Sequence, residues 1–191
     1  MTRNERWFWP AWGAAFLGFP IGGSAAALLA GPIESVGTAV IAGALAGGVI
    51  GAAQWLVLRR RLPLSPLWVA AAAGGMATGM ALAHLLLGDS TAQLPLLLRA
   101  LVVGAAIGAG QAVLLRGIVP TPILWAVVVT LGWPLAWAVS AAIGIDLSRN
   151  WAVFGSSGAL AFQLATGLTL AYLLRQPART PAPVPARGSP V

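Results

Sequence analysis

The stretch that decides the fold is residues 47–59, which read GGVIGAAQWLVLR. Residues 104–116, which lie 57 positions later, read GAAIGAGQAVLLR, so two glycines, a glutamine and an arginine recur in register. A repeat of fixed period indicates that one supersecondary unit occurs several times. Because the apolar stretches around each copy reach the roughly 20 residues that cross a bilayer, we interpret the unit as a hairpin of two membrane-spanning helices.

The same spacing extends over most of the chain. Residues 17–20 (LGFP) return at 131–134 as LGWP, two periods later. We therefore expect three hairpins, at about 9–61, 66–117 and 122–176. The last copy departs from the pattern in its second helix, where Leu170 takes the place of the glutamine and Gln163 stands one heptad earlier.

The composition excludes a soluble domain. Of the 191 residues, 59% are hydrophobic and 8% are charged, and the mean hydropathy is +0.87. Soluble domains carry about 25% charged residues, so this chain could not cover a water-facing surface. We predict an all-α integral membrane domain over 1–176 and a disordered, Pro-rich cytoplasmic tail over 177–191. The six predicted spans are about 9–30, 35–58, 66–88, 93–115, 122–144 and 152–174.

The charges predict the orientation. The net charge of +7 comes from eleven arginines, and short arginine-rich loops stay in the cytoplasm. Both termini are therefore predicted to lie inside the cell. Because the arginines are scattered over helix ends and tail, nucleic acid is not an expected partner. The arginines of the predicted inner side are Arg3, Arg6, Arg59, Arg60, Arg61, Arg116, Arg175, Arg179 and Arg187.

Small residues at repeated positions predict how the helices pack. In lipid, helices associate through close backbone approach, which glycine pairs four residues apart allow. We expect these faces to form seams within or between hairpins. The pairs are Gly18 and Gly22, Gly75 and Gly79, Gly47 and Gly51, and Gly104 and Gly108.

Three glutamines are candidates for a polar path near the repeat axis. Gln54 and Gln111 precede inner-end arginines, and Gln163 lies deeper in the membrane. Polar groups at bilayer depth are costly and often functional. The alternative is that each amide only bonds a neighbouring helix.

The opposite helix ends carry a candidate outer charge cluster. Glu34, Asp89 and Asp146 recur at spacings of 55 and 57 at the starts of even-numbered helices. They would either cap these helices or form a carboxylate ring that attracts cations. Arg99, about a turn inside its helix, would snorkel to the surface or pair with one of these acids.

Two tryptophans form a candidate ligand wall. Trp133 and Trp137 flank Pro134 near the middle of the fifth span, where anchoring at the membrane interface does not explain them. They would line a site for an apolar or cationic ligand, or fill the space around kinks that we predict at Pro20 and Pro134.

Residues 51–59 (GAAQWLVLR) and 132–137 (GWPLAW) resemble segments of small multi-pass bacterial membrane proteins with a repeated G-x-x-Q-W-L-V-L-R motif. The resemblance covers most of the membrane portion. It implies a bacterial inner-membrane location, and it implies no chemistry or functional residues.

The residue inventory predicts a protein that is not an enzyme. The chain has no cysteine, one histidine and four acidic residues, and no nucleophile–base pair, metal-ligand cluster or phosphate loop is visible in the sequence. We expect no metal and no cofactor. The first hypothesis is a small transporter or channel. The alternatives are an accessory subunit of a membrane complex and a lipid- or quinone-binding protein. The expected partners are the lipid bilayer and other membrane subunits or a second copy.

Overall fold

The computed structural model describes residues 3–88, 90, 92–146 and 153–176, with side chains from Trp7 onward. Over these residues the chain is helical, with no strand. The prediction of an all-helical fold is thereby confirmed, whereas the predicted tail at 177–191 lies outside the described residues. The elements are α1 (Arg3–Ala14), a 3-10 turn (Ala15–Leu17), α2 (Gly18–Ala30), α3 (Val36–Leu58), α4 (Leu67–Leu87), α5 (Gln93–Leu114), α6 (Pro122–Ala142) and α7 (Ser156–Arg175).

Six helical segments are long and apolar enough to cross a membrane, as the sequence predicted. The first of them, Trp7–Ala30, joins the end of α1, the 3-10 turn and α2. The other five are α3 to α7. Each has at least 20 residues, and at 1.5 Å per residue such a helix covers about 30 Å, the thickness of bilayer hydrocarbon.

The two prolines predicted to kink helices have different surroundings. The 3-10 turn Ala15–Leu17 ends three residues before Pro20, whose missing N–H removes the helical bond to the carbonyl of Phe16. Short 3-10 segments mark such interruptions of a helix. Around Pro134, in contrast, α6 remains α-helical from Pro122 to Ala142.

The long helices pack in chain order and close into a ring. Each of α2 to α6 packs against the next helix, and α1 and α2 also contact α7. The ring interior is filled by buried side chains that include Phe19, Met76 and Trp133, at one-period intervals in the sequence. Large aliphatic side chains cover the outside, with Leu28 84% exposed. A surface this apolar is one that a bilayer would cover.

Within each of the first two hairpins, glycines bring the two helices together. A Cβ added to Gly22 would lie 2.9 Å from the carbonyl oxygen of Ala46 in α3. A Cβ on Gly79 would lie 2.7 Å from the Cα of Val103 in α5. Real Cβ atoms essentially never lie under 3.0 Å from such atoms. Gly18 and Gly75 make the same kind of contact one turn earlier, against α3 and α5 respectively.

Between hairpins, the second helix of each pair supplies the glycines. A Cβ on Gly47 would lie 2.5 Å from the carbonyl oxygen of Ala72 in α4. A Cβ on Gly104 would lie 2.8 Å from the carbonyl oxygen of Val129 in α6. Gly51 and Gly108 lie one turn later and face α4 and α6 as well. Each of these four glycine pairs therefore faces the next helix along the chain.

Candidate functional site

The first candidate site is a buried amide pair inside the ring. Gln54 on α3 and Gln111 on α5 are 3% and 2% exposed. The Nε2 of Gln111 donates to the Oε1 of Gln54 at 3.5 Å. Trp125 on α6 donates its Nε1 hydrogen to the Oε1 of Gln111 at 3.0 Å. The two glutamines therefore bond each other weakly, and the indole of a third helix holds the amide of Gln111.

A second indole at this level is less well satisfied. Trp68 is fully buried and packs its ring 5.7 Å from that of Trp125. Among the described atoms, its Nε1 has no hydrogen-bond partner. A buried donor without a partner is costly, so polar contacts at this end of the ring are only partly satisfied.

A small cavity lies beside the amide pair in the ring interior. Its volume is about 10 Å³, close to the minimum that holds one water molecule. Both glutamines line it, together with Gly47, Ile50, Ala72, Met76, Ile107, Trp133 and Phe162. A cavity of this size has room for about one water molecule, which would bond both amides.

The third glutamine occupies a different place. Gln163 on α7 donates its Nε2 hydrogen to the backbone carbonyl of Trp12 at 2.5 Å. The Nε1 of Trp12 donates in return to the backbone carbonyl of Gln163 at 2.9 Å. This reciprocal pair joins the last span to the first and closes the ring. Gln163 is not among the residues that line the small central cavity, so the structure brings together two of the three predicted glutamines.

At the opposite ends of the helices, Ser35 rather than an acid caps α3. The Oγ of Ser35 accepts from the backbone N–H of Thr38 at 3.1 Å, and the Oγ1 of Thr38 accepts from the N–H of Ser35 at 3.0 Å. This is a reciprocal capping box. Glu34, the preceding residue, has an exposed side chain.

Another member of the predicted outer charge cluster, Arg99, contacts the backbone that follows α4. Arg99 donates from Nη2 to the backbone carbonyls of Gly88 at 2.5 Å and Ser90 at 3.3 Å. Its guanidinium therefore holds the turn that follows α4. Asp146 is exposed after the end of α6, and Asp89 lies outside the described residues.

The predicted ligand wall belongs to an aromatic cluster. Trp133 is 2% exposed, and its ring centroid lies 4.9 Å from that of Phe154 and 5.3 Å from that of Phe162, both edge to face. Phe19 of α2 belongs to the same cluster, with its ring centroid 6.2 Å from that of Trp133. Trp137 lies one turn farther along α6, and its ring centroid is 6.2 Å from that of Phe154. The match of LGFP at 17–20 to LGWP at 131–134 aligns Phe19 with Trp133 and could have identified Phe19 as a member of this cluster. Phe154 lies in no repeated motif, so no signal in the sequence pointed to it.

A larger pocket opens beside this cluster, between α2, the end of α6 and the start of α7. It has a volume of about 240 Å³. Trp137 and Phe154 form an aromatic wall, and the hydroxyl-bearing residues Ser24 and Ser156 are the polar members of its lining. The remaining lining residues are Pro20, Gly23, Ile145, Val153 and Gly155. The sequence pointed only to Trp137 here.

No family model matches this chain, and neither the curated proteins nor the solved structures contain a match to it. The predicted resemblance to small multi-pass bacterial membrane proteins therefore stays a prediction. In the part of the chain that the structure describes, no group of three or more His, Cys, Asp or Glu side chains is placed to hold a metal ion.

Proposed function

We propose that this protein binds a hydrophobic small molecule, such as a lipid chain or a quinone with an isoprenoid tail, within the membrane and without catalysis. The 240 Å³ pocket between α2, α6 and α7 carries this proposal. Ligand sites are concave, mostly apolar and furnished with a few polar groups. The pocket fits that description, with an indole, a phenyl ring and two serines in its lining.

The size of the pocket suggests which part of the ligand it takes. Pockets for whole drug-sized molecules have volumes of roughly 300–1,000 Å³. At about 240 Å³, this pocket suits one ring or a short stretch of chain, with the rest of the ligand lying along the apolar outer surface. The hydroxyls of Ser24 and Ser156 would bond a carbonyl or hydroxyl of the bound group.

The interior of the ring favours a binding protein over an axial transporter or channel. Conduction along the axis would require a polar passage, whereas the cavity beside Gln54 and Gln111 has a volume of about 10 Å³. The side chains of Met76, Trp133 and Phe162 line that cavity. The role of accessory subunit remains the second candidate, because the outside is rich in exposed aliphatic side chains that another membrane helix could cover.

The proposed setting is a bacterial inner membrane, with three hairpins arranged around a common axis and both termini in the cytoplasm. The arginine-bearing turns at 59–61 and 116 lie at one set of helix ends, and the turn at 31–35 and the end of α4 at Leu87 lie at the other. With the arginines inside, the pocket lies in the outer half of the bilayer. The cysteine-free sequence allows this to be tested with Ser65→Cys and Ser90→Cys. A membrane-impermeant maleimide should label only the second in intact cells.

The ligand test starts from protein purified in mild detergent, whose organic extract is compared by mass spectrometry with that of the surrounding membrane. We expect one lipid or quinone species to be enriched. Ser24→Phe, which fills the pocket from its lining, should remove that enrichment. The matched control is Ala81→Phe, one period later on α4 and outside the pocket lining, and it should retain the ligand.

Three results would contradict the proposal. Equal enrichment in Ser24→Phe and in the unchanged protein would mean that the molecule binds elsewhere. A protein that co-purifies in stoichiometric amount, without an enriched small molecule, would favour the accessory subunit. Solute flux in liposomes that Ser24→Phe leaves unchanged would favour a transporter.

A further inference from the structure

A second pocket lies at the arginine-bearing end of the ring, far along the helices from the first. It has a volume of about 170 Å³ and lies between α1, the end of α3 and the turn that follows α3. Its lining combines two guanidinium groups with aromatic and apolar side chains. The lining residues are Trp7, Phe8, Ala11, Val57, Arg60 and Arg61.

The two arginines of this pocket differ from their neighbour Arg59. The guanidinium carbon of Arg59 lies 4.7 Å from the ring centroid of Trp55, and Arg59 is not part of the lining. Arg61 is half-buried, with its guanidinium carbon 5.1 Å from the ring centroid of Phe8. A guanidinium held against a ring keeps its edge free to bond an anion. Arg60 is exposed and brings a second positive charge to the same opening.

The apolar part of the pocket continues in the direction of the membrane. Ala11 and Val57 form its floor, each about one helical turn farther into its helix than the aromatic and arginine residues. Trp7 is 71% exposed at the rim, as is typical of an indole at the level of lipid head groups. Of the four acidic residues in the sequence, Glu5 alone is close in the sequence to residues that line this pocket.

We propose that this pocket binds an anionic phospholipid of the bilayer, with the phosphate between Arg60 and Arg61 and the start of one acyl chain on Ala11 and Val57. Guanidinium groups bind phosphate through paired, charge-assisted hydrogen bonds. Basic pockets between membrane helices on the cytoplasmic side are a known form of site for such head groups. This proposal is independent of the hydrophobic ligand in the other pocket.

The alternative explanation is that Arg60 and Arg61 serve only to orient the protein, as any arginines at this end would. Two double variants separate the explanations. Arg60→Gln with Arg61→Gln removes both charges from the pocket. Arg59→Gln with Arg116→Gln removes the same charge from the same end of the molecule, at exposed residues outside the pocket lining.

The experiment is a titration of delipidated full-length protein in neutral detergent, followed by native mass spectrometry. The probes are phosphatidylglycerol, phosphatidylcholine and inorganic phosphate. We expect phosphatidylglycerol to bind most tightly. Arg60→Gln with Arg61→Gln should weaken it about 5- to 30-fold, since each arginine near the membrane surface contributes about a factor of five. The control double variant should stay within about twofold.

A charge-preserving variant covers the case in which the glutamine variant fails to fold. Arg60→Lys with Arg61→Lys keeps the orientation signal but loses the bidentate geometry, and should bind phosphatidylglycerol several-fold more weakly than the unchanged protein. Equal losses in the two glutamine variants would overturn the proposal in favour of a general charge effect. Equal affinity for phosphatidylcholine would also overturn it, as would competition by inorganic phosphate at lipid-like concentrations.

Discussion

The joints between successive helices differ from the joint that closes the ring. From α2 to α6, neighbours meet backbone to backbone, as where Gly47 faces the carbonyl of Ala72. Between the first and last spans, side chains make the contact instead. Trp12 and Gln163 exchange two hydrogen bonds there, and a Cβ on Gly167 would lie 2.7 Å from the indole of Trp12 rather than against a backbone.

This difference explains the position of the 240 Å³ pocket. Helices in backbone contact have no room between them for a ligand, because interiors pack to the density of organic crystals. Where long side chains make the contact, the helix axes lie farther apart. Space then remains between the helices above and below the contacting side chains. The 240 Å³ pocket includes Pro20, Gly23 and Ser24 from α2 and Ser156 from the start of α7, on the side of this closing joint.

Breaking a backbone contact should have the largest effect on stability. Gly47→Leu would force α3 away from α4, because a Cβ at this position already lies 2.5 Å from the Ala72 carbonyl oxygen. Replacing glycine within a helix gains up to about 1 kcal/mol in propensity, but overpacking costs about 1–3 kcal/mol and occasionally more. Because the carbonyl of Ala72 belongs to the backbone and cannot move aside as a flexible side chain would, we expect an overpacking cost of about 3 kcal/mol and hence a net loss of about 2 kcal/mol, measured by thermal unfolding in detergent.

The matched control is a helical glycine without a neighbour. A Cβ on Gly74, near the middle of α4, would meet no atom within 4 Å. Gly74→Leu should leave the free energy of unfolding unchanged or raise it by up to about 1 kcal/mol. A similar loss in both variants would mean that backbone approach is not what distinguishes the first joints.

The second test compares the two buried amides inside the ring, of which Gln111 accepts a hydrogen bond from Trp125 and Gln54 does not. Gln111→Leu leaves the buried Nε1 hydrogen of Trp125 without its acceptor, at a cost of about 1–3 kcal/mol. Gln54→Leu removes only a 3.5 Å contact and should cost less than about 1 kcal/mol. The free energies of unfolding of the two variants, measured side by side, check this order. Equal values would show that Trp125 finds another acceptor.

Length and hydropathy were sufficient to predict the helices. The second span was expected at 35–58, and the structure has α3 at Val36–Leu58. Six apolar stretches of sufficient length could be read directly, because a membrane-spanning helix requires about 20 apolar residues. The three-repeat arrangement and the insertion into a membrane stay predictions.

The candidate sites were less accessible to sequence reasoning. Equal spacing identified Gln54 and Gln111, which the structure has in contact, but it could not identify Trp125 as the donor to Gln111. The pocket joins Pro20 to Phe154, residues far apart in the chain. No local periodicity predicts such a contact, because it depends on how the ring closes.

The smallest expected effect is at the closing joint itself. Gln163→Leu removes the bond from Nε2 to the Trp12 carbonyl but also removes an Oε1 that has no hydrogen-bond partner among the described atoms. The loss and the gain offset each other, so we expect a net cost of about 0.5–1 kcal/mol. The bond from Trp12 Nε1 to the backbone carbonyl of Gln163 remains. The same thermal unfolding assay measures this change. A cost as large as that of Gly47→Leu would mean that the ring depends as much on this side-chain joint as on its glycine contacts.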